Sequence, residues 1–265
     1  MKIILTGTTG FVGTEVLAQA LANEAITALV VLSRKPLPEP LLTANPKVTV
    51  KIIDDFLHYP DSLLNELAGA EGCIWSLGLA TSSDLSLYRK VNHEYTLAAV
   101  NAFARIPSAS STSLSSTSPA SRGERDKPFR FIYCSGAAAV RDQEKTLWFM
   151  GDIRRIRGQT ESALLAYHSH NQSQDPKGDN TRITTRRRID TSIVRPAMII
   201  AKEWWTLHSM LFSLGPSIRV DRLARVMLEL AVVAAVGGDD RRSEKGQMKP
   251  VVLENWEMNS VAGQG

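Results

Sequence analysis

A chain of 265 residues, 43% hydrophobic and 22% charged, has the composition of an ordered globular protein and the length of one α/β domain with a small appended lobe. The formal charge of +4 sits largely in local clusters and does not indicate nucleic acid by itself, while Cys73 and Cys134, each inside an expected buried strand, read as free thiols of a reducing compartment. No apolar run reaches the roughly 18–20 residues of a transmembrane helix, and Met1-Lys2 runs into the first strand with no secretory leader, so a soluble cytoplasmic protein is expected.

The first strand, Ile3 to Leu5, stops at Gly7. Gly7, Gly10 and Gly13 follow at three-residue spacing, and a helical pattern then starts, carried by Val12, Val16, Leu17, Ala20 and Leu21. Strand, glycine turn and helix is the context in which such a motif binds a dinucleotide. Gly7 can take backbone angles that a Cβ forbids, Gly10 lets a pyrophosphate approach, and Gly13 lets the helix pack on the strand. The helix N-terminus faces the phosphates. Thr6, Gly7, Thr9, Gly10, Phe11, Val12 and Gly13 are the expected cofactor-binding residues of this stretch.

The second strand, Ala28 to Leu32, is a continuous apolar run of the kind a buried parallel strand shows. It ends in Ser33-Arg34-Lys35, where a dinucleotide fold meets the adenosine ribose. An acid there accepts from the 2′-hydroxyl of NAD, and a base accommodates the 2′-phosphate of NADP. A hydroxyl and two cations predict NADP. A proline-rich surface connection leads to the third strand, Val48 to Ile53. Asp55 follows it and is expected to accept from the adenine amino group, with Phe56 beside it; a turn acid for the segment Asp61 to Leu67 is the alternative. The fourth strand, Cys73 to Leu77, ends at Gly78, and Leu77 and Gly78 let the backbone pass close to the cofactor ribose and nicotinamide.

Leu87 to Ala104 reads as a long amphipathic helix. Residues 107–128 are rich in Ser, Thr and Pro and read as a flexible insertion without chemistry. Phe129 to Cys134 is the fifth strand, followed by Ser135. Leu147 to Leu165 is predicted helical, with Arg154, Arg155 and Arg157 on it, and residues 168–187 read as a second polar insertion. The sixth strand, Ile189 to Val194, leads into Arg195-Pro196. Val220 to Ala235 is predicted helical and Val251 to Leu253 extended, with 197–220 and 240–265 assigned to a small C-terminal substrate lobe. This alternation predicts an α/β fold, a Rossmann-type doubly wound parallel sheet. Ligands of such sheets bind beyond the carboxyl ends of the strands, where Thr6, Arg34, Asp55, Gly78, Ser135 and Pro196 all fall.

Thr6-Gly7-Thr8-Thr9-Gly10-Phe11-Val12-Gly13, Asp55-Phe56, Leu77-Gly78, Val91-Asn92, Cys134-Ser135-Gly136, Arg157-Gly158-Gln159-Thr160-Glu161 and Val194-Arg195-Pro196 occur in an order that resembles the short-chain dehydrogenase/reductase superfamily. The likeness is to its atypical or extended branch, in the Tat-interacting oxidoreductase-like and NmrA-like neighbourhood. The resemblance implies a Ser, Tyr and Lys set in which Tyr moves the proton at the substrate oxygen while Lys lowers its pKa and holds the nicotinamide ribose. Ser135 falls at the serine position. The Lys slot, just before Gly158 and Glu161, holds Arg157, and the Tyr slot one turn earlier holds Ile153. Ile cannot transfer a proton, and Arg is not equivalent to Lys.

Three readings follow. A reductase could use a substitute donor, with Ser135, Asp152 and Arg157 as the catalytic candidates; Tyr133 is expected to point into the core. A cofactor-binding protein without redox chemistry could be an isomerase, a cyclase or an NADP-sensing regulator. A degenerate member would only fold and bind partners. Trp148, Trp204 and Trp205 could line a pocket for a hydrophobic small-molecule carbonyl or alcohol, or be ordinary core aromatics. Arg186, Arg187 and Arg188 read as a solvated run, without a nucleic-acid motif. The five histidines show no metal-ligand spacing. A homodimer is a further expectation.

Overall fold

The computed structural model describes residues 1–37, 45–107, 128–173, 186–202, 215–232 and 250–262. Within them the chain runs β1 (Lys2–Thr6), α1 (Phe11–Ala22), β2 (Ala28–Ser33), β3 (Val48–Ile52), α2 (Asp61–Glu66) and β4 (Ala70–Trp75). It continues with α3 (Leu85–Arg89), a π-helical turn (Lys90–Glu94), α4 (Tyr95–Phe103), β5 (Phe129–Cys134) and α5 (Gly151–Ser173). β6 (Ile189–Arg195), β7 (Met198–Ile200), β8 (Ser217–Arg219), α6 (Val220–Val232), β9 (Val251–Glu254) and α7 (Asn255–Ala262) complete it.

Seven strands form one sheet in the order β3-β2-β1-β4-β5-β6-β9, and every pair in it is parallel. The Rossmann-type doubly wound α/β sheet predicted from the alternation is therefore present. Its strands are apolar on both sides because both faces are covered. Ile4, Trp75, Phe129 and Phe131 pack under α2, α3–α4 and α5, with Phe56 and Phe103. Ile3, Leu5, Leu29 and Ile74 pack under α1 and α6, with Val16, Leu17, Leu223 and Met227. The strand order reverses at β1, which pairs with β2 on one side and β4 on the other. That switch point lies at the carboxyl ends of the strands, where sheets of this kind form the crevice that binds ligands.

The structure moves several expected boundaries. α5 begins at Gly151, after Met150 in a left-handed conformation (φ 49°), so Leu147, Trp148 and Phe149 are loop residues. The same helix runs on to Ser173, past the point where a polar insertion was expected, and His168 on it is buried, its Nδ1 accepting from the Thr191 N–H at 3.2 Å. Arg187 is no solvated cation: it donates to the Ala70 carbonyl at 2.6 Å and stacks over the Phe129 ring at 5.5 Å. β9 joins the main sheet as its seventh strand, and Met258 of α7 is buried in the core, so this part of the expected lobe is sheet and core. β7 and β8 form a separate parallel pair, fastened by Asn255 and Asn259, whose side-chain amides both donate to the Ser217 carbonyl. Residues 108–127 and 174–185 of the two expected insertions, and the stretch holding Trp204 and Trp205, lie outside the described residues. Among the described residues, no helix is long and apolar enough to cross a membrane.

Candidate functional site

Gly7 leaves β1 at φ 71°, a region that disfavours any residue with a Cβ. A Cβ there would also lie 2.5 Å from the Ser76 carbonyl oxygen. One at Gly13 would lie 2.1 Å from the Gly7 carbonyl oxygen, so this glycine lets α1 dock against the turn. The turn is closed by the Gly10 N–H donating to Gly7 O at 2.9 Å, and the Thr14 hydroxyl lies within bonding distance of the Thr8 and Gly10 carbonyls. No side chain caps α1 at Gly10. Thr6 and Thr8 are buried, and among the described residues nothing pairs with their hydroxyls. Thr9, Gly10 and Phe11 are exposed along the open side of the turn.

The ends of β2 and β3 leave the sheet side by side, because the Ile53 N–H donates to the Ser33 carbonyl at 3.0 Å. Ser33 is buried and its hydroxyl accepts from the Lys35 N–H, while Arg34 and Lys35 are exposed. Asp55 accepts from the Leu57 N–H at 3.1 Å and faces Lys90 Nζ at 3.9 Å. Burial, together with the Asp55 carboxylate, raises the pKa of Tyr95. Phe56 turns into the core, edge-on to Trp75 at 5.8 Å. Lys90 and Tyr95 escaped the sequence reading: they lie on a helix 35 or more residues downstream, and no local pattern ties them to β3.

β4 ends at Trp75, two residues short of the expected strand end, and Leu77 and Gly78 follow it as loop residues. Gly78 is fitted against Asn92, whose Oδ1 would sit 2.7 Å from a Cβ at this position. Asn92 Oδ1 accepts from the Leu79 N–H at 3.1 Å and its Nδ2 donates to the Tyr88 carbonyl. Asn92 lies in the π-helical turn, where the Tyr95 N–H reaches back to the Lys90 carbonyl. π-turns recur at functional sites.

At the end of β5 the Ser135 hydroxyl donates to Glu161 Oε1 at 2.6 Å. Glu161 is fully buried and is held by Arg141 at 2.7 Å and Arg195 at 3.1 Å. Arg195 also pairs with Glu254 and donates to the Ala139 carbonyl. Ser135 thus turns its proton inward and its lone pairs outward. Pro196, after β6, accepts from the Ala137 N–H at 2.8 Å and holds the backbone after Ser135 in place.

Arg157 lies beside this network. Its Nε donates to the Tyr88 hydroxyl at 2.7 Å, and its Nη2 is shared between the carbonyls of Leu79 and Ala80 at 3.2 and 3.4 Å. Its Nη1 passes over Gly136, 2.4 Å from where a Cβ would stand, and nothing among the described residues accepts from it. Three acceptors therefore hold the guanidinium and leave one nitrogen at the strand ends. Burial raises the Tyr88 pKa in spite of Arg157, so the phenol is neutral. Burial likewise raises Tyr133, which points into the core as expected from its place in the strand, and pushes Cys134 to about 11. Ser135 and Arg157 thus meet at Gly136. Asp152 stands apart at the start of α5, its side chain 66% exposed and paired with Arg155 at 3.7 Å. Trp148 is 98% exposed.

No family model matches the chain. A stretch of 78 residues, 29% of the chain, is 44% identical to the leucinostatins biosynthesis cluster protein T of Purpureocillium lilacinum, and the match spans 28% of that protein's length. The fold is also similar to that of yeast methylglyoxal/isovaleraldehyde reductase Gre2 in complex with NADPH, with a TM-score of 0.63 and 13% identity over 99% of this chain and 93% of that one. A putative NAD-dependent epimerase/dehydratase from Bacillus halodurans gives 0.58 and 14% over the whole of both chains. The reductase domain of PhqB from Penicillium fellutanum gives 0.56 and 15% over 96% of this chain and 66% of that one. The chain therefore shares the Rossmann-type fold of these proteins.

Proposed function

We propose that this chain is an NADP(H)-dependent oxidoreductase acting on a hydrophobic small-molecule carbonyl or alcohol at the carboxyl edge of its sheet. The observation that carries the reading is the left-handed glycine turn at the end of the central strand, next to the switch in strand order and followed by an uncapped helix N-terminus. An uncapped helix start presents N–H donors to an anion, which fits the pyrophosphate of a dinucleotide. Exposed Arg34 and Lys35 at the end of β2 fit the 2′-phosphate of NADP. The likeness to a reductase described in complex with NADPH supports the same class.

When bound, a nicotinamide cofactor would supply or take up the hydride. The chain's part is to hold the reacting oxygen. Arg157 offers a fixed cationic donor, suited to charge developing on that oxygen. Ser135, its own proton given to Glu161, offers an acceptor to a substrate hydroxyl. A guanidinium does not take the place of a phenol as proton donor. Asp152 is the carboxyl next to the Ile153 slot and is the residue to test for that role.

The same observation favours a second reading, in which the dinucleotide is held and redox chemistry is absent. Calorimetry with NADP, followed by NADPH absorbance with a panel of hydrophobic aldehydes and ketones, separates the two. Turnover supports the first; binding without any turnover supports the second. No binding at millimolar NADP overturns both. In a turning-over enzyme Arg157→Met is expected to lower kcat by roughly a hundredfold. Ser135→Ala and Asp152→Asn then name the donor, according to which one abolishes turnover with cofactor affinity intact.

A further inference from the structure

The adenosine end of the crevice holds an acid that a 2′-phosphate should avoid. Asp55 leaves β3 beside the point where Arg34 leaves β2, the two strand ends being joined by the Ile53-to-Ser33 hydrogen bond. A carboxylate near this position repels a phosphate dianion, and at separations within a Debye length of roughly 8–10 Å the repulsion is only partly screened. Preference for NADP therefore requires either that the cations outweigh Asp55 or that its charge is offset locally.

The structure supplies the offset. Lys90 Nζ stands 3.9 Å from Asp55 Oδ2 and 5.6 Å from the centre of the Tyr95 ring. Both partners of the ion pair are close to half exposed. Such a pair adds little to folding stability, because water screens it and two flexible side chains must be ordered to make it. Its field is another matter: a cation this close to Asp55 opposes the field that the carboxylate presents to an approaching anion. Lys90 comes from the first residue of the π-helical turn, on a different element from Arg34 and Lys35, so it acts independently of the β2 edge.

We propose that Lys90 is a cofactor-specificity residue, which selects the 2′-phosphorylated dinucleotide by offsetting Asp55 at the adenosine end of the crevice. This rests on the reading of the chain as an NADP-binding protein. The mechanism is a cancellation of charge and has a signature that a direct contact with the phosphate lacks: the effect of Lys90 depends on Asp55 being present.

Dissociation constants for NADP and NAD, measured by calorimetry on the full chain, test it with four proteins: the wild type, Lys90→Met, Asp55→Asn and the double variant. Thermal unfolding verifies that each is folded, and no substrate is needed. Lys90→Met is expected to reduce the preference for NADP over NAD by about threefold to tenfold, and by less in 0.5 M salt than in 0.05 M. In the Asp55→Asn background the same change is expected to alter the preference by less than about twofold. An unchanged preference in Lys90→Met overturns the inference. So does an equal loss in both backgrounds, which would mean that Lys90 touches the phosphate itself. A wild type that binds neither dinucleotide overturns the functional reading on which the inference rests, a result distinct from the other two.

Discussion

Single side chains at the site are set by partners far away in sequence. Arg157 is oriented by Tyr88 and two carbonyls 69 to 78 residues before it, and Ser135 by Glu161 on the next helix. His93 is another such case, its Nδ1 3.0 Å from the Thr160 hydroxyl across the contact between the π-helical turn and α5. Burial lowers its pKa, and Arg89 adds to the effect against Glu94. The folded state thus holds His93 neutral more firmly than the unfolded chain does. The unfolded chain then binds the extra proton below its own value of about 6.5, so the stabilising contribution is complete above that pH and falls away as the solution is made more acid. Urea unfolding at pH 7.5 and 5.5 measures this. His93→Gln, which keeps an amide near Thr160 and cannot titrate, is expected to lose less of its midpoint over that interval than the wild type.

Among the elements, α5 matters most to the site, because it carries Ile153, Arg157 and Glu161. Its approach to the backbone after β5 depends on Gly158, where a Cβ would lie 1.7 Å from the Val140 carbonyl oxygen. The Val140 N–H also donates to the Arg154 carbonyl at 3.0 Å, so helix and loop touch main chain to main chain. In an isolated helix Gly→Ala stabilises by about 1 kcal/mol. Here the clash reverses the sign, and Gly158→Ala is expected to destabilise the protein by about 2–3 kcal/mol in chemical unfolding, with Arg157 displaced from Gly136. How legible these parts are in the sequence follows the same division. The glycine turn can be read because strand, turn and helix are contiguous. The positions of Ser135 and Arg157 can be read because strand end and helix follow each other. Their orientation cannot, since Tyr88, Leu79 and Ala80 belong to another crossover. The start of α5 is misread because Leu147-Trp148-Phe149-Met150 is as apolar as a helix, and only the left-handed Met150 separates it. The pairing of Lys90 with Asp55 is hidden for a similar reason: a surface lysine on a polar helix face carries no local signal.

On the scale of the whole molecule, the fold gathers one edge of strand ends and secures it from the far side. β9 and α7 take part through Glu254 on Arg195 and Asn255 on the Ala197 N–H, so the last described segment of the chain braces the network that holds Ser135. The main sheet contains only parallel pairs, and none of its neighbouring strands is joined by a hairpin. Lys2 must meet Ala70, and Arg195 must meet Glu254, before the sheet is whole. Such distant pairings make the search for the native state slow, because loop closure precedes any reward from contact. Refolding from urea, followed by the fluorescence of tryptophan with Trp75 buried between Phe56 and Phe131, is therefore expected to take seconds or longer and to pass through an intermediate. A single-exponential recovery within milliseconds would contradict this. Until β9 arrives, β6 presents an open flank of unpaired amides and carbonyls, a template onto which another copy can add a strand. Temperature and protein concentration during refolding should therefore govern yield more than any change at the ligand crevice.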